Sequence, residues 1–146
     1  MVAALSLHAE GKVQRVGILD CDQHFGDGTE EIIAAKHLGW IRHVSKERSD
    51  PEEAEPFLDQ LPRVMQSFSD CDLLMYQAGA DPHVDDPLGG FLTTEQLARR
   101  DQIVFSEAKA MQIPVAWNLA GGYQEPVYEV LRIHNATMRA CIGVYL

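Results

Sequence analysis

The stretch Val16-Gly17-Ile18-Leu19-Asp20-Cys21-Asp22-Gln23-His24-Phe25-Gly26-Asp27-Gly28-Thr29 decides the fold, because an apolar run ends abruptly in carboxylates, an imidazole and glycines. Val13 to Leu19 is too short for a helix and reads as a buried strand. In extended chain, residues two apart point the same way, so Asp20, Asp22 and His24 share one side. Carboxylate oxygen and imidazole nitrogen suit a divalent ion. An Asx-rich turn is the alternative, since Asp and Gly gather after strands for conformational reasons alone.

Working outward, Asp72 to Ala78 and Ile113 to Leu119 also read as buried strands, and Trp40 to Ser45 as a weaker one. Between them lie helical patterns. One runs from Glu30 to His37, one from Pro51 to Ser67 with Pro56 and Pro62 interrupting it, and one from Thr94 to Gln112. Thr93 and Gln96 form a capping box before the last of these, and Leu97, Val104, Ala108 and Met111 repeat at helical spacing. A final helix, Pro126 to Ile142, places Val127, Val130, Leu131, His134 and Met138 at compatible positions.

This alternation predicts an α/β fold, a mostly parallel sheet with helices on its faces. Ligands of such sheets sit beyond the carboxyl ends of the strands. Each of the three stronger strands empties there into polar, glycine-bearing chain: Asp20 to His24, then Gly79-Ala80-Asp81-Pro82-His83, then Ala120-Gly121-Gly122-Tyr123. The rim thus gathers carboxylates, histidine and tyrosine.

The 146 residues suit one domain, and 46% hydrophobic residues is ordinary for a globular core. A net charge of -10 opposes binding to nucleic acid or an anionic membrane. Cys21, Cys71 and Cys141 are odd in number and far apart, so neither a disulfide framework nor a Cys-x-x-Cys zinc knuckle is encoded, and a reducing cytoplasm is expected. No apolar run reaches the length of a membrane span, and the N-terminus carries no basic leader.

Three motifs in order resemble the histone deacetylase superfamily, including its acetoin-utilisation and acetylpolyamine deacetylase relatives: Asp20 to Thr29; Gly79-Ala80-Asp81 with Asp85-Asp86-Pro87-Leu88-Gly89-Gly90-Phe91-Leu92-Thr93; and Leu119-Ala120-Gly121-Gly122-Tyr123. The resemblance covers nearly the whole chain and implies a three-layer α/β/α, arginase/deacetylase-like fold, of which residues 1–146 would form the C-terminal part, truncated at the N-terminal side. It implies Asp22, His24 and Asp81 as ligands of Zn2+, with an open position for water and substrate. Tyr123 matches the tyrosine that hydrogen-bonds the amide oxygen. Asp20 and Asp27 match carboxylates that orient a pair of catalytic histidines.

That adjacent histidine pair is not found in this sequence, whose histidines are 8, 24, 37, 43, 83 and 134. The resemblance therefore implies a zinc-dependent hydrolase of acetyl-lysine or small acetylated amines that turns over poorly for want of a base. One alternative is a non-catalytic metal-binding or protein-interaction remnant, dimerising or otherwise covered along an exposed sheet edge. Another is a di-manganese ureohydrolase of related fold. His83 is expected as an exposed loop residue, His37 and His43 as structural or solvated, Ser45 as a minor cation-site candidate, and Trp117 as core.

Overall fold

In a computed structural model describing residues 1–45, 47–48 and 50–146, the elements run α1 (Val2–Ala9), β1 (Val16–Asp20), α2 (Asp27–Ala35), β2 (Ile41–Ser45), α3 (Ala54–Gln66), β3 (Leu73–Ala78), α4 (Thr94–Ala110), β4 (Val115–Leu119) and α5 (Tyr128–Tyr145). The strands form a four-stranded sheet in the order β2-β1-β3-β4, parallel throughout. Every strand therefore ends on the same rim.

Two faces of the sheet are covered. Val16 and Ile18 of β1 and Ile41 of β2 pack with Ala4 of α1 and Ile33 of α2. On the opposite face Leu19, Leu74 and Tyr76 meet Leu61 and Met65 of α3, Val104, Phe105 and Ala108 of α4, and Ala140 and Val144 of α5. Phe105 sits edge-on to both Tyr76 and Trp117, with ring centroids 5.8 and 6.0 Å apart. Gly17 lies where a side chain would strike Phe68, its hypothetical Cβ falling 2.5 Å from that ring.

Several boundaries differ from the sequence expectation, and each has a local reason. Helix α1 was not expected, because Val2-Ala3-Ala4-Leu5-Ser6-Leu7-His8-Ala9 is too short to show a clear period; it buries Ala4 against the sheet. The prolines do not break α3. Pro51 starts a 3-10 turn over Pro51–Glu53, capped by Asp50 Oδ1 accepting the Glu52 amide at 2.9 Å. Pro56 falls in the first turn of α3, where its missing N–H costs nothing. Pro62 forfeits one internal bond, and the helix continues because Leu58, Leu61 and Met65 are buried on one face.

The capping box of α4 forms as expected, with the Gln96 amide donating to Thr93 Oγ1 at 3.3 Å and the Thr93 amide to Gln96 Oε1 at 2.9 Å. Strand β4 is not buried as expected. Among the described residues it pairs only with β3, and its residues are half-buried or exposed. On α5 the buried residues are Val130, Ile133, His134, Thr137, Ala140 and Val144, whereas Leu131 and Met138, and Val127 just before the helix, are exposed. Among the described residues no helix is long and apolar enough to cross a membrane.

Candidate metal centre at the sheet rim

Parallel strands β1, β3 and β4 deliver three loops to one place. One donor atom each from Asp22, His24 and Asp81 lies within 4.8 Å of the others, although Asp81 is far from the first two in sequence. His24 Nδ1 stands 3.2 Å from Asp22 Oδ1 and 3.3 Å from Asp81 Oδ2. The His24 side chain is 50% exposed and that of Asp81 fully buried, so the cluster opens to solvent on the histidine side.

Backbone groups hold the first loop. The Asp22 amide donates to Asp20 Oδ1 at 3.1 Å, and the His24 amide to Asp22 Oδ1 at 3.0 Å. The third loop clamps the other two. The Gly121 amide donates to Asp22 Oδ2 at 2.9 Å, while the Gly121 carbonyl accepts the amides of Ala80 at 2.6 Å and Asp81 at 3.1 Å. A Cβ on Gly121 would lie 2.7 Å from Asp22 Oδ2 and closer still to the Asp81 carboxylate, so only glycine admits this approach.

The electrostatics of the cluster are unbalanced. Burial, reinforced by the neighbouring Asp22, pushes the Asp81 carboxyl up to about 7. Burial acts on Asp22 in the same sense, but the amides of His24 and Gly121 and the His24 ring outweigh it and hold Asp22 below the usual carboxylate range. His24 is raised, its slight burial being overcome by the two carboxylates. Neither oxygen of Asp81 receives a directed hydrogen bond, although both are buried. A buried carboxylate so poorly supplied with hydrogen bonds is costly, and a cation would offset that cost.

The other anticipated residues are placed less uniformly. Asp20 is buried beside the cluster and its carboxyl is raised by burial. Asp27 is exposed at the start of α2, with Oδ1 accepting the Gly28 amide at 2.7 Å, and does not join the cluster. Tyr123 is 52% exposed. Its amide donates to Asp86 Oδ2 at 2.8 Å, while Asp86 Oδ1 accepts the Leu88 amide at 3.0 Å, so the second loop fixes the backbone of the third.

His83 is buried, not exposed: Nδ1 accepts the Asp85 amide at 3.1 Å and Nε2 lies 3.0 Å from Thr94 Oγ1. Both ring nitrogens are thereby engaged within the fold. The His43 side chain is 2% exposed and contacts Glu30 Oε2 through Nδ1 at 2.9 Å. Ser45 Oγ accepts the Gly26 amide at 2.9 Å.

Sequence reasoning missed the support beneath the site. Arg100 is fully buried, with Nη1 donating to the carbonyls of Gly79 at 2.8 Å and Cys21 at 3.2 Å, one from each of the first two loops. Its charge is met by Asp101 Oδ1, 2.8 Å from Nε. Asp101 also accepts hydrogen bonds from the hydroxyls of Tyr76 and, at 2.6 Å, Thr137. The available signal was positional: Arg100 and Asp101 fall between Leu97 and Val104 on the buried stripe of α4.

The histone deacetylase domain family matches residues 34–139, a span containing Asp81 and Tyr123 but beginning after His24. An uncharacterized protein from Picosynechococcus sp. is 31% identical over 99% of this chain and 54% of its own length. Histone deacetylase 2 of Arabidopsis thaliana is 26% identical over 82% of this chain and 37% of its own.

Among solved structures, acetylpolyamine aminohydrolase from Burkholderia pseudomallei superposes with a TM-score of 0.68 at 23% identity, covering 99% of this chain and 48% of that one. The HDA15 HD domain gives 0.71 at 23% identity, covering 98% and 48%. These likenesses show the fold. The chain spans about half the length, or less, of the relatives it matches.

Proposed function

The chain belongs to the histone deacetylase domain family, and from that premise we propose that Asp22, His24 and Asp81 hold one zinc ion in a centre that hydrolyses an acetylated amine. The observation that carries this reading is Asp81, a wholly buried carboxylate that makes no well-formed hydrogen bond among the described residues and lies beside a second carboxylate and the His24 imidazole, 3.3 Å from its Oδ2. One nitrogen and two oxygen donors, open on one side, make a donor set suited to hydrolytic zinc. When bound, zinc supplies Lewis acidity, polarising an amide carbonyl and acidifying water.

The chain's own groups do the rest. Asp20 and the Gly121 amide hold the Asp22 loop and carboxylate in place. The Tyr123 hydroxyl donates to the amide oxygen as it gains charge, and Asp86 fixes the backbone from which that side chain reaches. An acetyl-lysine side chain or a small acetylated amine is the substrate. Asp27, exposed and bonded to its neighbouring amide, has no adjacent histidine pair in this sequence to orient. Turnover by the chain alone is therefore slow, since a positioned base contributes roughly 10²–10⁴-fold.

A second reading, for these 146 residues by themselves, is a metal-binding unit that does not catalyse, since they contain no such pair. Metal analysis of the purified chain, combined with an acetyl-lysine assay, separates the two. One zinc per chain with turnover that falls on Tyr123→Phe supports the enzyme; one zinc without turnover supports the second reading. Two bridged ions per chain would point to di-manganese chemistry instead. Asp81→Ala is expected to abolish tight zinc binding, and unchanged stoichiometry in that variant refutes the proposed ligand set.

A further inference from the structure

Helix α5 and the residue before it display an apolar stripe that the fold leaves uncovered. Val127, Leu131, Met138, Ile142 and Tyr145 are between 40% and 67% exposed. At 100° per residue they fall within an arc of about 60°, beside the buried face formed by Val130, Ile133, Thr137, Ala140 and Val144. Scattered exposed apolar residues are ordinary, but a continuous seam along a helix is not.

The spacing of this seam is its own mirror image. From Val127 the steps to Leu131, Met138 and Ile142 are four, seven and four residues. Two such helices laid antiparallel about a two-fold axis set Val127 against Ile142 of the second copy and Leu131 against its Met138, with each contact made twice. Closed two-fold interfaces require this self-complementarity. The axis falls between His134 and Asn135, so Asn135, exposed at the edge of the seam, comes beside its own copy. A polar residue beside the two-fold of an apolar seam can fix register by bonding its mate.

We propose that α5 is a homodimer seam occupied by the antiparallel α5 of a second copy of this chain. This goes beyond the proposed metal chemistry and does not depend on it. The five side chains present on the order of 500 Å² of apolar surface, at the upper end of patches found on monomers. With flanking residues this approaches the ~800 Å² that each partner gives to a standard interface.

Charge permits the pairing. Although the chain carries -10 overall, the only acidic residue of α5 is Glu129, paired with Arg132 at 2.8 Å, and Arg139 adds a positive charge. The seam also borders the open side of the sheet, because Cys141 and Val144 of α5 pack in the same cluster as Val115 and Trp117 of β4. A second α5 would thus shelter the flank of the unpaired strand.

The test is sedimentation equilibrium of the full chain at micromolar concentrations, comparing wild type with Leu131→Glu and Met138→Glu. Wild type should run at twice 16.3 kDa, and each substitution should raise the dimer dissociation constant at least about tenfold, with unchanged far-UV circular dichroism. In a Cys141→Ser background, Asn135→Cys should give a disulfide-linked dimer on mild oxidation, and the outward-facing Arg132→Cys should not. A monomer at every concentration, a dimer indifferent to both glutamates, or failure of Asn135→Cys to cross-link would each overturn the proposal.

Discussion

Arg100 Nη1 lies 2.8 Å from the carbonyl oxygen of Gly79, the residue that carries the chain from β3 into the Asp81 loop. The same nitrogen reaches the Cys21 carbonyl at 3.2 Å, immediately before Asp22. One guanidinium buried beneath the sheet rim therefore sets the distance between two loops that are separate in sequence. Asp101 meets the charge through Nε and is itself held by the hydroxyls of Tyr76 and Thr137.

Replacing Arg100 by Met removes the cation and leaves Asp101 buried with only neutral partners. Breaking one side of a buried pair costs roughly 3–5 kcal/mol. Urea denaturation of Arg100→Met should show a loss of that size. Where the variant remains folded, its zinc affinity should fall, because the two loops lose their common tie. Wild-type stability and affinity would show that the network does not position the site.

Gly121→Ala tests the clamp from the third loop. The added methyl would crowd both Asp22 and Asp81, yet Gly121 is partly exposed and outside the apolar clusters. The expected result is at least a tenfold loss of metal affinity with a thermal midpoint lowered by only a few degrees, on the order of 1 kcal/mol. Titration calorimetry with zinc, alongside a melting curve, reads both quantities.

His134 should make stability depend on pH. Burial, aided by the nearby positive charge of Arg100 and opposed by Asp101, holds its imidazole below the usual value of 6.5. Its buried Nδ1 has no hydrogen-bond partner among the described residues. As pH falls below about 6.5 the unfolded chain takes up a proton that the folded chain refuses, so stability falls, with a slope of up to ~1.4 kcal/mol per pH unit. Above that pH the contribution is flat. Asp81 and His24, both raised, act with the opposite sign in the same window, so chemical denaturation between pH 5 and 8 should show the His134 contribution as the difference in slope between wild type and His134→Leu.

Much of the architecture was legible because strands and motifs share boundaries. The apolar run ending at Leu19 marks the rim through Asp20, and the capping box marks the start of α4 within one residue. The convergence of Asp22, His24 and Asp81 follows from parallel strands, whose ends must lie side by side. What stayed hidden depends on contacts between distant residues. Arg100 and Asp101 looked like ordinary polar positions of a helix until Cys21, Gly79, Tyr76 and Thr137 were brought to them. His83 looked like loop until Thr94 and the Asp85 amide closed on it. On α5, periodicity revealed a helix with apolar residues on more than one side, and neighbours decided which side was buried.

The doubly bonded peptide of Gly121 restricts where this chain can vary in length. Only Ala120 separates β4 from the clamp, and each inserted extended residue would carry the Gly121 amide about 3.4 Å along the chain, past the reach of Asp22. Beyond Tyr123 no bond of this kind links the backbone to the acidic cluster among the described residues. Insertions that reshape the mouth of the site should be accommodated there, on the C-terminal side of the clamp, while the single-residue spacer before it stays fixed.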